Sequence, residues 1–215
     1  MRTIYFDLDG TLTNPKPGIT RSIQYALERL GQAVPSEDEL VWCIGPPLHA
    51  SLKKIVGSDE LADRALALYR ERFADIGLFE NETYHGIQKT LSALAASHPR
   101  MFVATSKPAV YAERIIDHFG LRPYFEQVFG SELDGTHTDK TELLRHALET
   151  AQVDPSKAVM IGDRSHDIVG ARSNGMTAIG VLYGYGSEEE LKVAGAHHIC
   201  ASHPNLLDHC LSLPA

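Results

Sequence analysis

The chain has 215 residues, 43% hydrophobic and 22% charged, enough for one substantial core plus a smaller module, and this composition excludes disordered and fibrous classes. A formal net charge of −8 leaves no basic footprint for a nucleic-acid polymer, while recognition of a small phosphorylated molecule, being local, stays open. Three scattered cysteines, Cys43, Cys200 and Cys210, make no disulfide framework, no apolar run reaches 18 residues, and no charged leader precedes the first apolar stretch, so the expectation is a cytoplasmic protein with no membrane partner.

The apolar, β-prone run Ile4-Tyr5-Phe6 predicts a buried strand; Asp7 and Asp9 follow it two residues apart, and Gly10 permits a sharp turn. Asn14-Pro15-Lys16-Pro17-Gly18 is a turn and linker cluster. A helix is expected to start near Gly18 or Thr20, with Ile19, Ile23, Ala26, Leu27 and Leu30 at helical spacing and Gly31 to end it. Ser36 can cap a short helix through Leu40, and the prolines of Ile44-Gly45-Pro46-Pro47-Leu48 make a stiff break. Two more helices are predicted over 48–56 and 59–74, the second with Leu61, Ala65, Leu68 and Tyr69 on one face.

After residue 84 the rhythm changes. Helical patterns around Leu91, Ile115, Leu144 and over 165–173 alternate with apolar strands at 101–104, 127–129, 158–161 and 177–179. Strand–helix alternation marks a doubly wound parallel α/β sheet. Residues 1–13 and 85–215 are therefore expected to form an α/β core, interrupted by an all-helical insertion over 14–84.

Such sheets bind ligands beyond the carboxyl ends of their strands, and polar residues gather there. Asp7 and Asp9 are costly to bury unless a cation or a proton compensates them; a hard ion such as Mg²⁺ suits carboxylate oxygens, and a simple Asx-type turn is the alternative. The strand at 101–104 leads into Thr105-Ser106-Lys107-Pro108, where a hydroxyl beside free helix-start N–H groups can bind an anion, cap the helix, or do both. Lys140 falls at a helix start, where the macrodipole disfavours a cation unless an anion answers it; Lys107 and Lys157 are alternatives for that role. The strand at 158–161 ends in Gly162-Asp163-Arg164-Ser165-His166-Asp167, with Asp167 one helical turn beyond Asp163.

Asp7-Leu8-Asp9-Gly10-Thr11-Leu12-Thr13 resembles the first motif of the haloacid dehalogenase (HAD) superfamily in its phosphatase branch. Thr105, Lys140 and Gly162-Asp163 with Asp167 resemble its second, third and fourth motifs, in order and across most of the chain. Gly170 and Gly175 also fit, whereas Ser106 stands where relatives often carry Asn, and Thr141 where many carry Pro. The resemblance implies that Asp7 attacks phosphorus to form an aspartyl-phosphate and that Asp9 acts as general acid and then general base. It further implies that Gly10, Thr11, Thr105, Ser106 and Lys140 bind the phosphoryl group. Mg²⁺ would be held by Asp7, Asp9 and Asp163, with Asp167 acting through water or orienting Lys140.

By the same resemblance the insertion is a helical cap hinged at 13–18 and 81–86. Gly45, Pro46 and Pro47 are expected to face the phosphate, with Arg21 and His49 as further candidate substrate contacts; a plain interhelical turn is the other reading. The segments around Asn14-Pro15-Lys16-Pro17 and Gly45-Pro46-Pro47 resemble the branch of phosphoglycolate phosphatases and 5′-nucleotidases, leaning toward the latter. The implied activity is Mg²⁺-dependent hydrolysis of a small phosphate monoester, with a phosphoglycolate phosphatase or a sugar phosphomutase as alternatives. A non-enzymatic regulatory protein on this fold would be expected to have lost Asp7 or Asp9. His197, His198, Cys200, His203, His209 and Cys210 gather near the C-terminus at spacings of no recognised zinc pattern, leaving a soft-metal site and a polar surface both open.

Overall fold

In the computed structural model, which describes residues 3–97 and 99–212, the first apolar run forms β1 (Thr3–Phe6), buried along its whole length. The chain passes through β2 (Thr13–Asn14) into α1 (Lys16–Arg29), a 3₁₀ turn over Asp38–Cys43, α2 (Leu48–Val56) and α3 (Asp59–Arg72). It returns through β3 (Glu82–Thr83), which pairs with β2. α1 starts at Lys16, ahead of the expected start near Gly18 or Thr20, because Pro17 in a first turn forfeits no helical hydrogen bond. The helix expected from Ser36 to Leu40 is instead the 3₁₀ turn, and Ser36 binds the Glu39 carboxylate through both its N–H and its hydroxyl. α3 is capped by Ser58, which accepts from the Leu61 N–H at 3.2 Å. It ends at Arg72 and widens into a π turn over Phe73–Gly77. Its buried face is Ala62, Ala65 and Tyr69, whereas the expected Leu61 and Leu68 lie at the edge.

Beyond β3 come α4 (Ile87–Ala95), β4 (Arg100–Pro108), α5 (Ala109–His118), β5 (Gln127–Ser131) and α6 (Lys140–Ala151). They are followed by β6 (Ala158–Gly162), α7 (Ser165–Ser173), β7 (Thr177–Val181), α8 (Glu188–Ala194), β8 (His198–Cys200) and α9 (His203–Ser212). Six strands make one sheet in the order β5-β4-β1-β6-β7-β8, every neighbouring pair parallel. β4 is the main departure from expectation. It runs on through Thr105, Ser106 and Lys107 to Pro108, with a register shift against β5 between Thr105 and Pro108. Pairing with β5 overrides the turn tendency of Ser-Lys-Pro, as tertiary context commonly does for strands.

One face of the sheet is closed by α6, α7 and α8. Tyr5 stacks on Phe102 with ring centroids 5.1 Å apart, and Leu144, Leu148 and Ile168 pack in the same cluster. The chain divides into two compact units, the described parts of Met1–Leu12 with Thr83–Ala215, and Thr13–Glu82. The three cysteines are buried and form no disulfide among the described residues. Among the described residues no helix is long and apolar enough to cross a membrane.

The strand order explains where chemistry can be built. From β1 the sheet grows to β4 and β5 on one side and then to β6, β7 and β8 on the other. The reversal leaves the carboxyl ends of β1, β4 and β6 side by side, the position at which open α/β sheets bind ligands.

Candidate active site

Asp7 stands at that reversal point, its N–H donating to Ile161 O of β6 at 2.9 Å. After it the backbone turns through Gly10, whose φ of 88° favours glycine. A Cβ there would also lie 2.2 Å from Asp163 Oδ2, so the turn folds directly over the carboxylate at the end of β6. Lys140, the first residue of α6, reaches the same place. Asp139 caps the helix by accepting from the N–H groups of Thr141 (2.9 Å) and Glu142 (3.1 Å), which supplies the anion that a lysine at a helix start requires. Lys140 Nζ then lies 2.9 Å from Asp7 Oδ1, 2.8 Å from Asp167 Oδ1 and 2.9 Å from Ala104 O. An ammonium has three donors and no more, so this cation is committed to holding Asp7 and Asp167.

Asp7, Asp163 and Asp167 each present an oxygen, and these oxygens lie within 4.8 Å of one another; all three residues are buried. Burial pushes the Asp7 carboxyl up to about 7, with Lys140 pulling the other way. Burial and the Asp167 and Asp7 charges push Asp163 well above the ordinary carboxylate range. Asp167 stays below that range because Lys140 outweighs the effect of its burial. Lys140 is likewise pulled down by burial, yet Asp167 and Asp7 hold it above its ordinary value. One lysine thus pairs with two of the three carboxylates. Asp163 has Thr11 Oγ1 at 3.4 Å and the Tyr185 N–H at 2.8 Å, but no ion pair among the described residues. A buried, undercompensated set of hard oxygens fits a divalent cation such as Mg²⁺.

The sequence-derived residues divide around this cluster. Asp9 is near it, but its carboxylate points elsewhere, with Lys107 Nζ 2.8 Å from Oδ2. Its side chain is not among the three converging carboxylates, although Asp9 was expected with them as a metal ligand. Thr11 faces Asp163. Thr105 Oγ1 accepts from the Lys107 N–H at 3.3 Å, and Ser106 O accepts from Ser131 Oγ at 2.8 Å; both lie in the strand tail of β4 rather than in a helix-start turn. Lys107 and Lys140 serve different carboxylates, and Lys157 is exposed.

The loop after β7 was not singled out from the sequence. Tyr185 donates its N–H to Asp163, and a Cβ on Gly184 would lie 2.3 Å from Gly10 O and 2.4 Å from Asp163 Cβ. The available signal was Tyr183-Gly184-Tyr185-Gly186 directly after an apolar strand, since glycines there mark close backbone approach.

In the helical unit Gly45 turns with φ 101° ahead of Pro46 and Pro47. Arg21 pairs with Glu37 (3.1 Å) and Glu80 (3.3 Å) and lines a cavity of about 320 Å³ with Asn14, Phe79 and Asn81. His49 Nε2 is 2.9 Å from Asp63. Among the described residues the C-terminal histidines and cysteines make no group that could hold a metal: His203 stacks on Tyr183, His198 packs on His209, and His197 Nδ1 accepts from the Ala178 N–H.

A parallel sheet with this strand order, carrying a lysine-locked aspartate triad at its reversal point, defines a class, and the chain belongs to the haloacid dehalogenase-like hydrolases, whose family model matches residues 4–181. Within that family it is similar to phosphatases. The 5′-nucleotidase of Pseudomonas aeruginosa is 49% identical over 92% of this chain and 90% of its own. The phosphoglycolate phosphatase of Caulobacter vibrioides is 29% identical over 98% and 91%. The tyrosine-protein kinase PtkA of Mycobacterium tuberculosis is 39% identical over 85% of this chain, which spans 62% of that longer protein. The crystal structure of a "predicted phosphatase" from Clostridium acetobutylicum superposes with a TM-score of 0.96 at 41% identity, covering 99% of each chain.

Proposed function

We propose that this phosphatase is a Mg²⁺-dependent 5′-nucleotidase working through an aspartyl-phosphate on Asp7. The observation that carries the chemistry is the Asp7–Lys140–Asp167 lock beside Asp163 at the reversal point of the sheet. Similarity to the Pseudomonas 5′-nucleotidase supports the substrate class.

Asp7 attacks phosphorus in line, the bond to the leaving alcohol breaks, and Asp9 gives the alcohol its proton. Asp9 then takes a proton from the water that attacks the phosphorus, which releases phosphate and restores Asp7. Lys140 keeps the nucleophile aimed and offsets its charge; Thr105 and the turn at Gly10 and Thr11 receive the phosphoryl oxygens. Mg²⁺ held by Asp7 and Asp163, with Asp167 beside them, would supply charge neutralisation for the transferring group. The helical unit acts as the cap that excludes water and selects the leaving group, with Gly45, Pro46, Pro47, Arg21 and His49 as its substrate-facing candidates.

Phosphate release is to be measured on nucleoside 5′-monophosphates, phosphoglycolate and hexose phosphates, with Mg²⁺, after EDTA, and with Asp7→Asn. Metal-dependent release that prefers the nucleotides and disappears in the variant is the expected result. A preference for phosphoglycolate would reassign the substrate. Isomerised hexose phosphate without release would make the protein a mutase.

A further inference from the structure

Lys107 is a buried cation that the mechanism above does not use. It lies one residue before the end of β4, in the segment where the strand shifts register against β5. Its Nζ is 2.8 Å from Asp9 Oδ2, and the two side chains are only 6% and 10% exposed. The other oxygen, Asp9 Oδ1, is buried without a hydrogen-bond partner among the described residues. Desolvating a lysine and a carboxylate is expensive even when they are paired, and an orphaned buried oxygen adds to that cost. Lys140 is committed elsewhere, hydrogen-bonded to Asp7 and Ala104 O and ion-paired with Asp167. The strand tail that presents Lys107 is itself pinned, with Thr105 Oγ1 accepting the Lys107 N–H and Ser131 Oγ donating to Ser106 O.

We infer that Lys107 is the positioning residue for the acid–base group: it anchors Asp9 through Oδ2, so that Oδ1 is the oxygen presented to the leaving group and then to water. The inference rests on the reading of Asp9 as general acid and base. In the first half-reaction the proton on Oδ1 passes to the alcohol oxygen as its bond to phosphorus breaks. In the second, Oδ1 takes a proton from the attacking water, and the cycle closes with no proton gained or lost by the pair. Throughout, Lys107 touches Asp9 rather than the reacting atoms.

A general acid matters when the leaving group is a poor one and hardly at all when it is a good one. The test is therefore the release of the leaving group in a single turnover, with enzyme in excess and Mg²⁺ saturating, from a nucleoside 5′-monophosphate and from p-nitrophenyl phosphate. The proteins compared are wild type, Lys107→Met, Lys107→Arg and Asp9→Asn. Positioned proton transfer contributes about 10²–10⁴-fold, so Lys107→Met should lose roughly 100-fold or more on the nucleotide. On the aryl ester, which also reports whether the variant is folded, it should lose less than about fivefold. Lys107→Arg should recover most of the nucleotide rate. Equal losses on both esters in Lys107→Met, or no loss on either, overturn the inference while Asp9→Asn still discriminates between them. If Asp9→Asn slows both esters alike, the acid–base reading itself has failed, and the role of Lys107 falls with it.

Discussion

Lys140 illustrates how one side chain can be legible by type and surprising in use. A lysine at a helix start opposite carboxylates reads as a cation waiting for phosphate. The geometry hydrogen-bonds it to Asp7 and Ala104 O and pairs it with Asp167, the residue expected to orient it. Lys140→Ala would leave two buried like charges together, and losing such a preorganised charge contact costs about 10²–10³-fold in kcat. Lys140→Arg should rescue little, because a planar fork cannot reproduce three diverging contacts; steady-state phosphate release checks both variants. Gly184 is the second residue-scale case. A Cβ there collides with the Gly10 backbone oxygen and with Asp163, so Gly184→Ala should displace the carboxylate that Tyr185 orients. An orienting contact of this kind is worth about 10–100-fold in metal affinity, readable by calorimetric Mg²⁺ titration of the variant against wild type.

Elements place these residues, and their ends matter more than their middles. α6 begins at Lys140 because Asp139 accepts from two otherwise unpaired N–H groups. Asp139→Ala should cost about 1 kcal/mol of stability, measured by chemical denaturation, and should fray the turn that aims Lys140. The interiors of the strands and helices follow from sequence periodicity: Leu143, Leu144, Ala147 and Leu148 repeat at helical spacing and are the buried face of α6. The strand ends were harder to read. Thr105-Ser106-Lys107-Pro108 has the composition of a turn, and only its pairing with β5, nonlocal in the sequence, makes it strand and sends Lys107 to Asp9. The aspartates stood out because acidic residues at apolar strand ends are rare and costly. The loop at Tyr183–Gly186 did not, because it acts through a backbone N–H and through the absence of side chains, and neither leaves a charged signature.

At the scale of the whole molecule, ionisation couples the site to stability. Asp7 rises from an ordinary 3.8 to about 7, and Asp163 rises well above the carboxylate range, both chiefly through burial. Between about pH 4 and 7 the folded chain therefore binds more protons at Asp7 than the unfolded chain, so this group's contribution to stability falls as pH rises through that window. Asp167 is shifted down, so its contribution to stability is fully present above its ordinary 3.8 and is lost only as pH falls below that value. His166, His198 and His203 are held below 6.5 by burial, so they favour the folded state as pH rises and oppose Asp7 in the same window. A simple melting curve against pH mixes these signs. The increment in Tm produced by Mg²⁺ is cleaner, because the contributions of His198 and His203, which owe nothing to the cluster carboxylates, are common to the samples with and without metal, whereas the metal would need ionised Asp7 and Asp163. Free Mg²⁺ at 100 times its Kd should add about 2.7 kcal/mol, or roughly 5–10 °C for a chain of this size. Below pH 7 the affinity should weaken by at least about tenfold per pH unit as Asp7, with Asp163 beside it, takes up its proton. The Tm increment, followed by calorimetry at fixed Mg²⁺, should accordingly grow from pH 5.5 to 7.5 and vanish in Asp163→Asn; an increment independent of pH would show that the ion binds without displacing protons from these carboxylates.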